Sequence, residues 1–81
     1  MASTRLKDLV DYMARSLVDH PERVRVVEAT GTRSLVLELH VAPSDMGRVI
    51  GKSGRVAGAM RSMLYVAASR AGTRATLEIM G

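Results

Sequence analysis

The sequence predicts an α+β fold in the order α-β-β-α-α-β, with helices covering one face of a small sheet. Three observations lead there. Apolar residues recur at helical spacing near the start, and apolar and polar residues alternate strictly over Arg33 to Val41. Small-residue helical patterns then flank two glycines, Gly51 and Gly54. Eighty-one residues with 47% hydrophobic content can build one core and lie near the lower limit of independent stability, so 1–81 is read as one domain.

Thr4 to Asp19 is predicted as an amphipathic helix. Leu6, Leu9, Val10, Met13 and Leu17 share one face, Asp11 and Arg15 form an i,i+4 ion pair on the other, and Pro21 ends the pattern. Arg23 to Ala29 is a first strand, with Val24 and Val26 inward and Val27 out of step, which suggests a bulge or a two-sided contact. Thr30-Gly31-Thr32 reads as a hairpin turn. The strand from Arg33 to Val41 puts Leu35, Leu37, Leu39 and Val41 on one side, so it should have one buried and one wetter face and pair antiparallel with the first. Pro43 and Asp45 open a short helix that reaches Ile50. After the glycine turn a longer helix runs from Arg55 to Ala71, with Val56, Met60, Met63, Leu64, Ala67 and Ala71 inward and Gly72 as its stop. Arg74 to Met80 is a third strand, with Ala75, Leu77 and Ile79 inward.

Composition narrows the function classes. With no cysteine there is no disulfide, thiolate nucleophile or thiolate metal site, which fits a reducing cytoplasm. No apolar run approaches the ~18 residues of a membrane span, and the N-terminus lacks a signal-peptide core. Neither His20 nor His40 has a carboxylate or nucleophile constellation around it, so no catalytic, metal or cofactor site is expected. The net charge of +4 is concentrated: residues 43–72 carry Arg48, Lys52, Arg55, Arg61 and Arg70 against Asp45 alone, and no carboxylate occurs from Met46 to Leu77. Positive field and close backbone approach thus coincide at the glycine turn, which points to an anionic ligand.

Four readings of GKSG compete. A nucleotide-binding P-loop needs a glycine at position 46, which is Met46; Gly47 is one residue too close, and the loop follows a helix instead of a strand. A DNA-reading helix-turn-helix needs polar base-reading side chains in the first turns of its second helix, where this chain has Arg55 followed by Val56, Ala57, Gly58 and Ala59. A purely structural helix–helix turn would leave Lys52 and Ser53 as ordinary solvent-facing residues. The fourth is a clamp on single-stranded nucleic acid. There VIGKSG followed by RVAGAMRSML resembles the VIGxxG signature of KH domains, whose GxxG loop grips about four nucleotides.

The resemblance covers residues 4 to 80, and a free-standing domain of this length looks like the small bacterial KhpA family of RNA-binding proteins. It implies the type II KH fold, a three-stranded mixed sheet with helices on one face. Composition agrees, because other single-strand binders need aromatic platforms. This chain has no Phe or Trp and two tyrosines, Tyr12 and Tyr65, both away from the loop. The expected RNA-binding residues are Arg48, Val49, Ile50, Gly51, Lys52, Ser53, Gly54, Arg55, Val56 and Ala59. Lys52 and the N–H groups from Gly51 to Arg55 would take a phosphate, with Arg48 and Arg55 on its neighbours. Val49, Ile50, Val56 and Ala59 would form an apolar wall facing outward residues of the 33–41 strand, with Arg61 peripheral. Gly58 departs from the family pattern: either RNA or a neighbouring segment passes close there, or the groove is less basic than in relatives. One such site should bind weakly and with little sequence preference, which suits an RNA chaperone. The resemblance further implies self-association as a homodimer, a complex with a larger KhpB-type protein, and roles in gene expression and cell-envelope homeostasis. The strand face around Val36, or Tyr65 and Val66, are candidate dimer contacts. The alternative is a protein-interaction module with little intrinsic RNA binding.

Overall fold

Six regular elements organise the computed structural model, which describes residues 2–30 and 34–80. They are α1 (Ala2–Leu17), β1 (Arg25–Thr30), β2 (Leu35–His40), α2 (Met46–Ile50), α3 (Arg55–Arg70) and β3 (Ala75–Met80). The predicted turn at Gly31 and Thr32, and the strand start at Arg33, lie outside the described residues.

β2 is the central strand. It pairs antiparallel with β1, Arg25 opposite His40 and Thr30 opposite Leu35. It pairs parallel with β3, Leu35 opposite Ala75 and His40 opposite Met80. A parallel neighbour requires a long crossover, and α2, the glycine loop and α3 supply it. The sheet is therefore mixed, and the chain order is the one expected from sequence.

The alternation in β2 sends Leu37 and Leu39 fully into the core, where they meet Val10 of α1, Val49 of α2 and Leu64 of α3. Each such burial is worth about 1.5–3 kcal/mol. Val24, Val26, Ala75 and Leu77 complete the inner sheet face. Val27 makes no bulge: the β1–β2 register is one-for-one, and Val27 lies with Arg25 and Glu38 on the face away from the core. In α3 the buried seam is Ala57, Met60, Leu64 and Ala68, offset from the predicted one. Met63 and Ala71 are exposed, because α3 packs against β3 as well as α1 and so turns a different face inward. The helix closes as predicted at Gly72. Thr73 N–H donates to Ala68 C=O at 3.0 Å and Gly72 N–H to Ser69 C=O at 3.1 Å, the Schellman pattern. No helix among the described residues is long and apolar enough to cross a membrane.

Candidate nucleic-acid interface

α2 lasts little more than one turn and ends with Gly51 N–H donating to Gly47 C=O at 2.9 Å. The next four residues form one tight turn in which three carry positive φ: Gly51 (+75°), Ser53 (+58°) and Gly54 (+74°). The two glycines are needed for different reasons. Gly51 has ψ 171°, a combination essentially confined to glycine, and an added Cβ would overlap the Val56 side chain and stand 2.9 Å from its backbone N. Gly54 is left-handed with ψ 16°, and nothing lies within 4 Å of where its Cβ would be. The first glycine lets the chain pack on itself; the second leaves space for something else.

Internal hydrogen bonds narrow the expected phosphate cradle. Gly54 N–H donates to Gly51 C=O at 3.1 Å and Arg55 N–H to Lys52 C=O, while Gly51 N–H closes α2. These bonds take the N–H groups of Gly51, Gly54 and Arg55 out of the expected cradle, so Lys52 and Ser53 are its remaining candidate donors. Ser53, a non-glycine in the left-handed region, holds a conformation that costs about 1–2 kcal/mol. The side chains of Arg48, Lys52, Ser53 and Arg55 are all exposed around this tip.

The expected apolar wall needs correction. Val49 is fully buried and belongs to the core beneath the loop, so it supports the site without reaching its surface. Ile50 is exposed, Val56 half-buried and Ala59 exposed. Val56 and Ala59 face Tyr12 and Met13 of α1 across an open groove, not the outward side of β2. The helices pack on the Leu37 and Leu39 side of β2, so its outward residues lie on the far side of the sheet from α3.

Two polar contacts that the linear sequence does not reveal hold this unit in place. Asp45, at the entry to α2, is 1% exposed. It accepts the N–H groups of Asp19 and His20, both at 3.1 Å, and meets His20 Nδ1 at 3.2 Å, tying α2 to the chain leaving α1. Burial by itself raises the Asp45 pKa, but the hydrogen bonds from Asp19 and His20 and the charge of His20 outweigh it and hold the carboxyl below its ordinary value. Arg48 pairs with Asp19 at 3.1 Å, so an acid remote in sequence stands at the edge of the acid-free loop.

Arg61 is more than peripheral. It is half-buried, and its Nε and Nη2 both donate to Leu77 C=O at 3.3 Å. Leu35 N–H bonds Arg74 C=O and Val41 N–H bonds Met80 C=O, so even-numbered residues of β3 face β2. The odd-numbered ones present their backbone groups to the free edge, where Arg61 bridges helix and strand. Sequence reading missed Arg61 and Asp45 because neither partner is close in the chain. The only available signal for Asp45 was a lone acid within a basic segment.

Comparisons with known proteins agree with this geometry. Residues 7–79 match the family model described as the KH domain of KhpA/KhpB. The chain is 49% identical to RNA-binding protein KhpA of Clostridium acetobutylicum, over 93% of this chain and 100% of that one. It is 51% identical to the protein of the same name from Halalkalibacterium halodurans, over 93% and 99% respectively. Among solved structures, a variant of Aquifex aeolicus Era bound to GDP and AlF4− superposes with a TM-score of 0.64 at 20% identity. The match covers 91% of this chain and 29% of that one and speaks for the fold alone. The curated relatives are named for RNA binding, and theirs is not an enzyme family. With the helix–glycine loop–helix crossover, the mixed sheet and whole-length identity taken together, the chain belongs to the KhpA/KhpB family of KH-domain proteins.

Proposed function

We propose that residues 1–81 form one KH domain that binds single-stranded RNA, with the Gly51–Gly54 loop clamping the backbone of about four nucleotides. The environment of Gly54 carries this reading: left-handed backbone and open space where a side chain would stand, beside the exposed bases Arg48, Lys52 and Arg55. The N–H groups of Lys52 and Ser53 take one phosphate, Lys52 adds its charge, and the positive end of α3 favours the anion. Arg48 and Arg55 contact flanking phosphates, while Ile50, Val56 and Ala59 supply apolar surface. The RNA-binding names of the relatives support RNA as the ligand.

Three or four phosphates neutralised on a single strand give a log–log salt slope of about −2 to −3. Binding at one such site is weak and sequence-tolerant, which suits an RNA chaperone, and a second copy or a larger KhpB-type partner raises it through avidity. The exposed apolar strip between α1 and α3 supports self-association: Tyr12 is 73%, Met63 54% and Val66 57% exposed. That strip also favours the second reading, an interaction module with little RNA affinity of its own. A cytoplasmic location and a part in gene expression and cell-envelope homeostasis fit the same family reading. Changing Lys52 and Ser53 together to Asp separates the two. The clamp reading expects an unchanged circular-dichroism spectrum and loss of binding to short single strands; unchanged RNA binding refutes it.

A further inference from the structure

We propose that the cleft between the end of α3 and the start of β3 is a nucleobase subsite, in which Tyr65 stacks on a base of the strand gripped by the glycine loop. The inference rests on the RNA-clamp reading and extends it to the opposite end of α3. An open cleft of about 860 Å³ lies there. Ser34, Tyr65, Ser69, Thr73, Arg74 and Thr76 line it. Among the described residues this lining joins an aromatic residue to hydroxyl-bearing residues and one arginine, with no carboxylate. Tyr65 is 48% exposed, although nothing in the core or the loop requires an aromatic there. Base–aromatic stacking accepts any base, because every base has a π-face. Hydroxyls can donate to or accept from a base edge.

Continuity with the loop favours the same strand as occupant. Gly54, Gly58, Arg61, Tyr65 and Ser69 recur at intervals of three or four and so lie along one face of α3. The Arg61–Leu77 bond shows that this face borders the free edge of β3. A strand leaving the clamp along that edge meets small residues, then Arg61, then Tyr65, with no acid on α3 to repel it. The eleven residues from Gly54 to Tyr65 span about 16 Å. At the ~3.4 Å rise of a stacked strand that is about five nucleotides beyond the one at Gly54, out of reach of a tetramer. The C-terminal end of α3 disfavours a phosphate inside the cleft, so the base enters it and Arg74 meets the phosphate outside. Tyr65 and Val66 also part company here, since Val66 lines the α1–α3 groove with Leu9 and Met63.

The test compares unlabelled tetramers and octamers of mixed RNA sequence by calorimetry, on the unsubstituted chain, Tyr65→Leu, Tyr65→Phe and the Lys52→Asp/Ser53→Asp variant. Tyr65→Leu should weaken octamer binding about five- to hundred-fold, leave tetramers unchanged, and be restored by Tyr65→Phe. Octamer affinity unaffected by Tyr65→Leu overturns the subsite, and so does an equal loss for both lengths. A change in sedimentation that accompanies the loss also overturns it, in favour of a contact between copies. Failure of the clamp reading shows separately, as octamer binding that survives the Lys52→Asp/Ser53→Asp change.

Discussion

Replacing Gly51 and Gly54 by alanine, one at a time, separates the glycine that packing requires from the glycine that a ligand requires. At Gly51 the alanine must hold φ 75° and ψ 171°, which costs about 1–3 kcal/mol. Its Cβ also overlaps the Val56 side chain and presses on a backbone N that cannot swing away, an overpacking cost of about 1–3 kcal/mol. The sum is about 2–6 kcal/mol. An 81-residue domain at 0.05–0.15 kcal/mol per residue has about 4–12 kcal/mol in total. Gly51→Ala should therefore remove a large part of the stability. At Gly54 the left-handed backbone costs about 1–2 kcal/mol, and the new methyl enters open space. At 4–8 °C per kcal/mol for a domain of this size, Gly54→Ala lowers Tm by about 4–16 °C, and Gly51→Ala by clearly more. Urea titrations with matched slopes measure the two losses, and RNA titration of the still-folded Gly54→Ala protein measures the ligand effect. Equal destabilisation by the two alanines would refute the packing argument at Gly51. Full RNA affinity in Gly54→Ala would refute the use of its open space by a phosphate backbone.

Three further outcomes follow from the same geometry. The folded Asp45 carboxyl titrates below its unfolded value of about 3.9. Its contribution is therefore complete above that value and is lost as pH falls from there through the lower folded pKa. Asp45→Asn should flatten the acid limb of a Tm-versus-pH profile, and an unchanged limb would count against the anchor. Gly58→Ala should raise stability by about 1 kcal/mol in urea unfolding, since no neighbouring segment lies within 4 Å of the added Cβ. That open space leaves a close-passing strand or a less basic groove as the meaning of this glycine, and weaker octamer binding by the stabilised variant would select the strand. Asp19→Asn frees Arg48 from an exposed ion pair worth about 0–1 kcal/mol. It should tighten RNA binding a few-fold at low salt and leave Tm within a few degrees. Unchanged affinity would place Arg48 outside the phosphate path.

Sequence by itself determined the order of elements, the inward leucines of β2, the stop at Gly72 and the position of the glycine loop. Each of these rests on interactions between residues near one another in the chain: alternation, helical spacing, caps and glycine backbone freedom. The concentration of bases around the loop was equally legible, because charge adds up wherever it is placed. Tertiary structure decided the rest. It put Val49 beneath the loop and turned Val56 and Ala59 toward α1, since the direction a helix face takes depends on which layers pack against it. It joined Asp45 to His20, Arg48 to Asp19, and Arg61 to the carbonyl of Leu77, pairings between groups 16 to 29 residues apart. It also gave the two loop glycines different tasks. Spacing alone records two residues without side chains; only the packed chain shows that Val56 fills the space beside one and nothing fills the space beside the other.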